Sequence, residues 1–134
     1  MRTRLSIWLL SIAVTVFTAS GAMAAAALPA QSSSEAGVTV KVTPRNFTAD
    51  AWEFDVVFDT HSQALTDDLE KTAVLVSDGR TSHAAVKWQG DPPGGRHRKG
   101  VLQFQAVSPM PASIELQVKR SGEAALRSFR WKLK

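Results

Sequence analysis

Residues 52–59 read Trp52-Glu53-Phe54-Asp55-Val56-Val57-Phe58-Asp59. Trp52, Phe54, Val56 and Phe58 alternate with Glu53, Asp55, Val57 and Asp59. Side chains of an extended chain point to opposite faces with a period of two, so this segment carries one large apolar face and one mostly acidic face. A helical winding would scatter the same aromatic groups around its circumference. The stretch therefore reads as a strand with one buried side, and it sets the reading of the segments around it.

The same period recurs outward in both directions. Val38, Val40 and Val42 alternate with Thr39 and Lys41, and Val74 and Val76 mark a strand over residues 72–77. Residues 80–88 follow as one strand, with Ala84, Val86 and Trp88 on its inner face and His83 and Lys87 facing solvent. Between these two strands Asp78-Gly79 suits a two-residue type I′ turn, which needs a positive φ at both positions. Leu102 and Phe104 mark a strand over residues 101–106. Ile114, Leu116 and Val118 alternate with Glu115, Gln117 and Lys119, and Phe129, Trp131 and Leu133 alternate with Arg130 and Lys132. Seven short strands separated by turn residues predict an all-β fold, an antiparallel immunoglobulin-like β-sandwich. Trp52, Trp88 and Trp131 belong in its core. Only residues 66–71 offer a helical turn, with Thr66 as its cap.

The chain has 134 residues, enough for one domain. Arg2 and Arg4 precede an apolar run over residues 5–17, and Ala22-Met23-Ala24 follows. A basic start, a short apolar stretch and a small-x-small end predict a signal peptide over residues 1–24, cleaved after Ala24. The run falls short of the ~20 residues a membrane span needs, so no stable membrane insertion is expected after cleavage. Residues 25–36 hold small residues, Pro29 and a serine run without any apolar period. They read as a flexible linker, which leaves the folded domain at residues 37–134. The expected location is exported, either periplasmic or extracellular.

Lys and Arg number 16 against 12 Asp and Glu, for a formal charge of +4. Removing residues 1–24 takes two of the 16 basic residues and none of the 12 acidic ones, leaving a net +2. That weak excess, on an exported chain, speaks against a nucleic-acid partner. There is no cysteine. Disulfides, thiolate metal ligands, cysteine nucleophiles and blue-copper centres are thereby excluded. No Gly-x-Ser-x-Gly, His-Glu-x-x-His or phosphate-binding loop occurs, so no catalytic activity and no cofactor are expected.

Two connections are long: residues 59–71 and residues 89–100. Loops of ~12 residues are uncommon in compact domains, and function concentrates in them. If every connection reverses the chain, these two share one pole with a third, over residues 120–125. The first supplies Asp59, His61, Asp67, Asp68 and Glu70. The second runs Gly90-Asp91-Pro92-Pro93-Gly94-Gly95-Arg96-His97-Arg98-Lys99-Gly100. Its prolines stiffen an extended piece, and its paired glycines permit a sharp reversal. The candidate ligand-binding residues are Asp59, His61, Asp91, Arg96, His97 and Arg98.

Three arrangements fit those residues. Arg96, Arg98 and Lys99 could pair with Asp67, Asp68 and Glu70 and pin the two loops together. His61 and His97, completed by Asp59 or Asp91, could bind a divalent metal, with copper(II) or zinc suited to imidazole and carboxylate. Arg96, His97 and Arg98, assisted by glycine N–H groups, could bind an anion or another polar ligand.

The segments Phe58-Asp59-Thr60-His61-Ser62, Asp68-Leu69 and residues 88–104, with the Gly90–Arg98 loop as the most specific part, resemble an uncharacterised family of small exported microbial β-sandwich proteins. The resemblance spans most of residues 38–133. Where that family often carries a second histidine, this chain has Arg96, one imidazole fewer. The resemblance implies that the Asp-Thr-His-Ser and Pro-Pro-Gly-Gly loops act together. The expectation is an exported, non-catalytic binding or accessory module for an unknown protein or a small polar ligand. The alternative is a periplasmic metal-binding protein that uses His61 and His97.

Overall fold

The computed structural model describes residues 28–134; the predicted signal peptide and the first residues of the predicted linker lie outside them. Nine strands and one helical turn form among the described residues: β1 (Gln31–Glu35), β2 (Val38–Phe47), β3 (Ala51–Thr60), α1 (Leu69–Thr72), β4 (Ala73–Ser77), β5 (Thr81–Ala84), β6 (Lys87–Gly90), β7 (His97–Gln105), β8 (Ser113–Val118) and β9 (Arg127–Lys132). They build two antiparallel sheets, ordered β1-β2-β3-β7-β6 and β5-β4-β8-β9. This is a β-sandwich, and the β2-β3-β7-β6 and β4-β8-β9 groupings follow the immunoglobulin-like strand order. No described helix is long and apolar enough to cross a membrane.

The period-two apolar residues face inward as their alternation requires. Val38, Val40, Phe54, Phe58, Leu75, Leu102, Phe104, Leu116 and Phe129 are all buried in one cluster. Trp52 and Trp131 join it, while Trp88 is half-buried at its margin. Side chains of this size contribute about 1.5–3 kcal/mol each when fully buried.

Residues 80–88 are not one strand. β5 pairs with β4 in one sheet, and β6 pairs with β7 in the other. The register sets His83 beside Leu75 and Trp88 beside Leu102, so both point inward. An odd-numbered and an even-numbered residue cannot share a face of one uninterrupted strand. The phase slips where the chain crosses between sheets at Ala85 and Val86. Val86 is exposed there, and its N–H donates to Gln103 O at 2.7 Å. His83 is accordingly half-buried, within 3.1 Å of Ser77 Oγ, and not a solvent-facing residue. The Asp78-Gly79 turn takes positive φ at both positions, 51° and 66°, as its type demands.

The predicted linker also differs. Residues 31–35 form β1, an edge strand paired with β2. Its sequence, Gln-Ser-Ser-Ser-Glu, has no apolar period because it buries almost no apolar surface. It is held by backbone pairing and by side chains reaching from β9. Arg127 donates to Ser33 O at 2.9 Å and Glu35 O at 2.7 Å, and Gln31 accepts from Arg130 N at 3.1 Å. The helical turn starts later than expected. Asp68, not Thr66, occupies its N-cap position, without a side-chain capping bond.

Candidate functional site at the loop pole

Splitting residues 80–88 into two strands leaves the chain direction unchanged, since β6 still runs antiparallel to β7. The connections after β3, β6 and β8 lie at one pole. Thr60 N–H donates to Arg96 O at 2.9 Å, and Arg120 donates to Asp67 Oδ2 at 3.1 Å.

The base of this pole is Arg98. It stands on β7 in the inward phase of Leu102 and Phe104, and only 1% of it is exposed. Its guanidinium donates to Asp67 O at 2.7 Å, more weakly to Leu65 O at 3.4 Å, and to Asp91 O at 3.3 Å. Trp88 covers it, with the guanidinium carbon 5.6 Å from the ring centroid. That placement supports a cation–π attraction. Trp88 itself is fixed by an Nε1–H bond to Asp91 O at 3.0 Å. The indole lies against Gly90 and Gly100, which face each other across β6 and β7. A Cβ on Gly100 would come within 2.7 Å of the Trp88 ring, and one on Gly90 within 2.4 Å of Gly100 Cα. The two glycines make room for the ring that seals the arginine.

Arg98 therefore joins the two long loops, but through carbonyl oxygens and not through the carboxylates that the sequence suggested. Those carboxylates are engaged elsewhere. Asp67 pairs with buried Arg120, Asp68 lies 3.8 Å from Lys71, and Glu70 accepts from Trp88 N at 3.0 Å. The physical reason is burial. Beneath the loops, strand-free carbonyls need donors, and a guanidinium supplies five. The third connection adds a second buried network. Glu123 receives Arg120 at 2.9 Å and Arg127 at 2.7 Å. The bond from Arg127 holds the Glu123 carboxyl below its ordinary value, burial opposes it, and the bond from Arg120 adds to the lowering.

Above this base stand the remaining candidates. Asp59 and His97 are partners in the β3–β7 register, so their side chains meet on the outer sheet face. His97 Nδ1–H donates to Asp59 Oδ1, and both side chains are 56% exposed. The carboxylate orients the imidazole and leaves Nε2 without a partner among the described residues. Arg96 and His61 are exposed and unpaired among the described residues. Asp91 is not free: its Oδ2 accepts from Lys99 N at 3.0 Å, closing the end of the β6–β7 ladder. Arg98, enclosed as described, cannot touch a ligand from solvent. Of the six candidates, Asp59, His61, Arg96 and His97 are displayed, and Asp91 and Arg98 are structural.

The metal arrangement does not assemble. His61 and His97 share the pole, yet among the described residues no three His, Asp or Glu side chains gather as a metal would need. Asp59 is already committed to His97. Among the described residues neither member of the Asp59–His97 pair makes a hydrogen bond to a side-chain hydroxyl. Ser62, three residues on, lies toward the β1–β2 turn, with its Oγ 3.4 Å from where a Gly37 Cβ would sit.

Sequence reasoning missed Arg120 and Arg127. Their signal was available: Arg127 precedes the apolar positions Phe129 and Trp131 in the same phase, so it had to point inward. No protein-family model matches the chain, and no curated protein matches it.

Proposed function

We propose that the chain is an exported, non-catalytic binding module that recognises a small polar ligand with its loop pole. One observation carries the reading. Arg98 is buried without a carboxylate partner among the described residues, and its hydrogen bonds go to three loop carbonyls. Burying a guanidinium carries a desolvation cost that packing alone does not require. The guanidinium fixes two irregular loops in one geometry, and a fixed surface lowers the ordering cost of binding. On that surface stand Asp59, His97, Arg96 and His61, and exposed polar groups on rigid loops are the usual means of ligand recognition.

Saturation-transfer NMR against a library of sugars, amino acids and short peptides tests the reading. The comparison is between the wild type and the double variant Asp59→Ala, His97→Ala. Both side chains are exposed, so the variant keeps its fold, which near-ultraviolet circular dichroism checks. At least one compound is expected to show transfer that the variant loses. No hit at all, or hits identical in the two proteins, overturns the proposal.

A further inference from the structure

Beside the Asp59–His97 pair, a small cleft opens between the loop that follows β3 and the turn that precedes β7. Its volume is about 260 Å³, and Ser62, Gln63, Ala64, Gly95 and Arg96 line it. No carboxylate is among them. The carbonyls on its basic side are spent within the loops. Gly95 O accepts from Leu65 N at 2.9 Å, and Arg96 O accepts from Thr60 N at 2.9 Å. On the other side the carbonyls of Ser62, Gln63 and Ala64 have no partner among the described residues, and several donors are free as well. The backbone N–H groups of Gln63, Ala64, Gly95 and Arg96 have no partner among the described residues, and neither do the Ser62 hydroxyl and the Arg96 guanidinium.

Charge points the same way. Arg96 makes no ion pair among the described residues. Below the cleft, Arg98 holds a second positive charge, bonded to Leu65 O next to Ala64 and neutralised by no carboxylate within ion-pair distance. Asp59, the carboxylate nearest in register, is occupied by His97. Free donors on the lining residues, with one exposed cation, Arg96, a second buried beneath the loops and no acid in the lining, match the chemistry of an anion site. The volume is below that of a pocket for a whole drug-sized molecule, so it suits one compact group.

We infer that this cleft seats a single oxyanion, a carboxylate or a phosphate group, with Arg96 as its charge partner and the loop amides as its donors. The inference rests on the loop pole being the binding surface, and it names the ligand class. It also moves the anion seat away from His97 and Arg98, where the sequence suggested it.

The probes are sodium phosphate and sodium acetate, each titrated at constant ionic strength while amide shifts are followed by two-dimensional ¹H–¹⁵N NMR. Saturable shifts are expected at Gln63, Ala64, Gly95 and Arg96 with at least one anion. Tighter saturation by phosphate assigns the group as a phosphate, and tighter saturation by acetate assigns it as a carboxylate. Arg96→Gln should weaken the binding about tenfold or more, equivalent to about 1.4 kcal/mol. Its remaining amide spectrum reports that the fold is kept. Absent saturable shifts, or shifts equally strong in Arg96→Gln, overturn the anion seat. If library ligands still depend on His97 while both anions are silent, only this inference fails. If both experiments are silent, the loop pole is not a binding surface.

Discussion

At the pole that carries the short turns, Phe47 stacks on Trp52 at 4.4 Å and Phe54 reaches Trp131 at 5.7 Å. At the loop pole, Arg98, Arg120 and Arg127 fill the interior, each at most 5% exposed. Apolar contact is strong and non-directional, so it stabilises without fixing any one atom. Guanidinium bonds are directional and fix the atoms they reach. One end of the sandwich is built for stability, the other for geometry. The contrast can be broken by mutating each end and reading both stability and loop order.

The largest effect is expected at the aromatic end. Trp52→Ala removes a ring that is 2% exposed and should lower unfolding stability by about 3–5 kcal/mol. Urea denaturation measures the loss. Amide exchange in residues 61–67 and 91–96, relative to global unfolding, should stay as in the wild type, because nothing there touches the ring. Faster local exchange in those loops would mean that the two ends are not independent.

Next comes the arginine beneath the loops. Arg98→Met preserves length and apolar bulk but leaves the Asp67 carbonyl without its donor, while Leu65 O keeps the Gly94 N–H at 2.7 Å and Asp91 O keeps the Trp88 Nε1–H at 3.0 Å. Leaving one buried acceptor unpaired costs about 1–3 kcal/mol, and a loss in that range is expected. The distinguishing readout is local. Exchange should accelerate in residues 61–67 and 91–96 beyond what the global loss explains. A variant that loses stability uniformly would reduce Arg98 to ordinary filling.

The same division governs what could be read from the sequence. The aromatic end was legible, because period-two alternation such as Trp52-Phe54-Val56-Phe58 reports burial directly. β1 was not, since an edge strand of serines is held by backbone pairing and by Arg127, and neither leaves a period. The sheet crossing at Ala85 and Val86 was hidden because a phase slip of one residue looks like continued alternation when the residues around it are small. At the loop pole, parity placed the long connections together. The roles within the basic run did not follow from composition. Arg96, Arg98 and Lys99 look alike as charges, but the strand phase buries Arg98 beside Leu102 and leaves Arg96 and Lys99 outside. Reading that phase back from Phe104 would have separated them.

The smallest effect concerns Glu123, and it sharpens the contrast through pH. Its carboxyl is held below the ordinary value of 4.5, first by the hydrogen bond from Arg127, against burial, and then by the bond from Arg120. A depressed folded-state value means that the charged form stabilises the fold. That contribution is complete above the unfolded value near 4.5 and is lost as pH falls through the folded one. Glu123→Gln should therefore be about 1–2 kcal/mol less stable than the wild type at neutral pH, from the lost charged hydrogen bonds. The gap should close as pH drops below 4.5, where the wild-type carboxyl takes up its proton. Urea midpoints for both proteins at neutral pH and at steps below that value measure it. The Trp52→Ala deficit, which involves no titrating group, should stay constant over the same window. A Glu123→Gln gap just as constant would place the glutamate with the aromatic end, as packing and not as a charge that holds the loops.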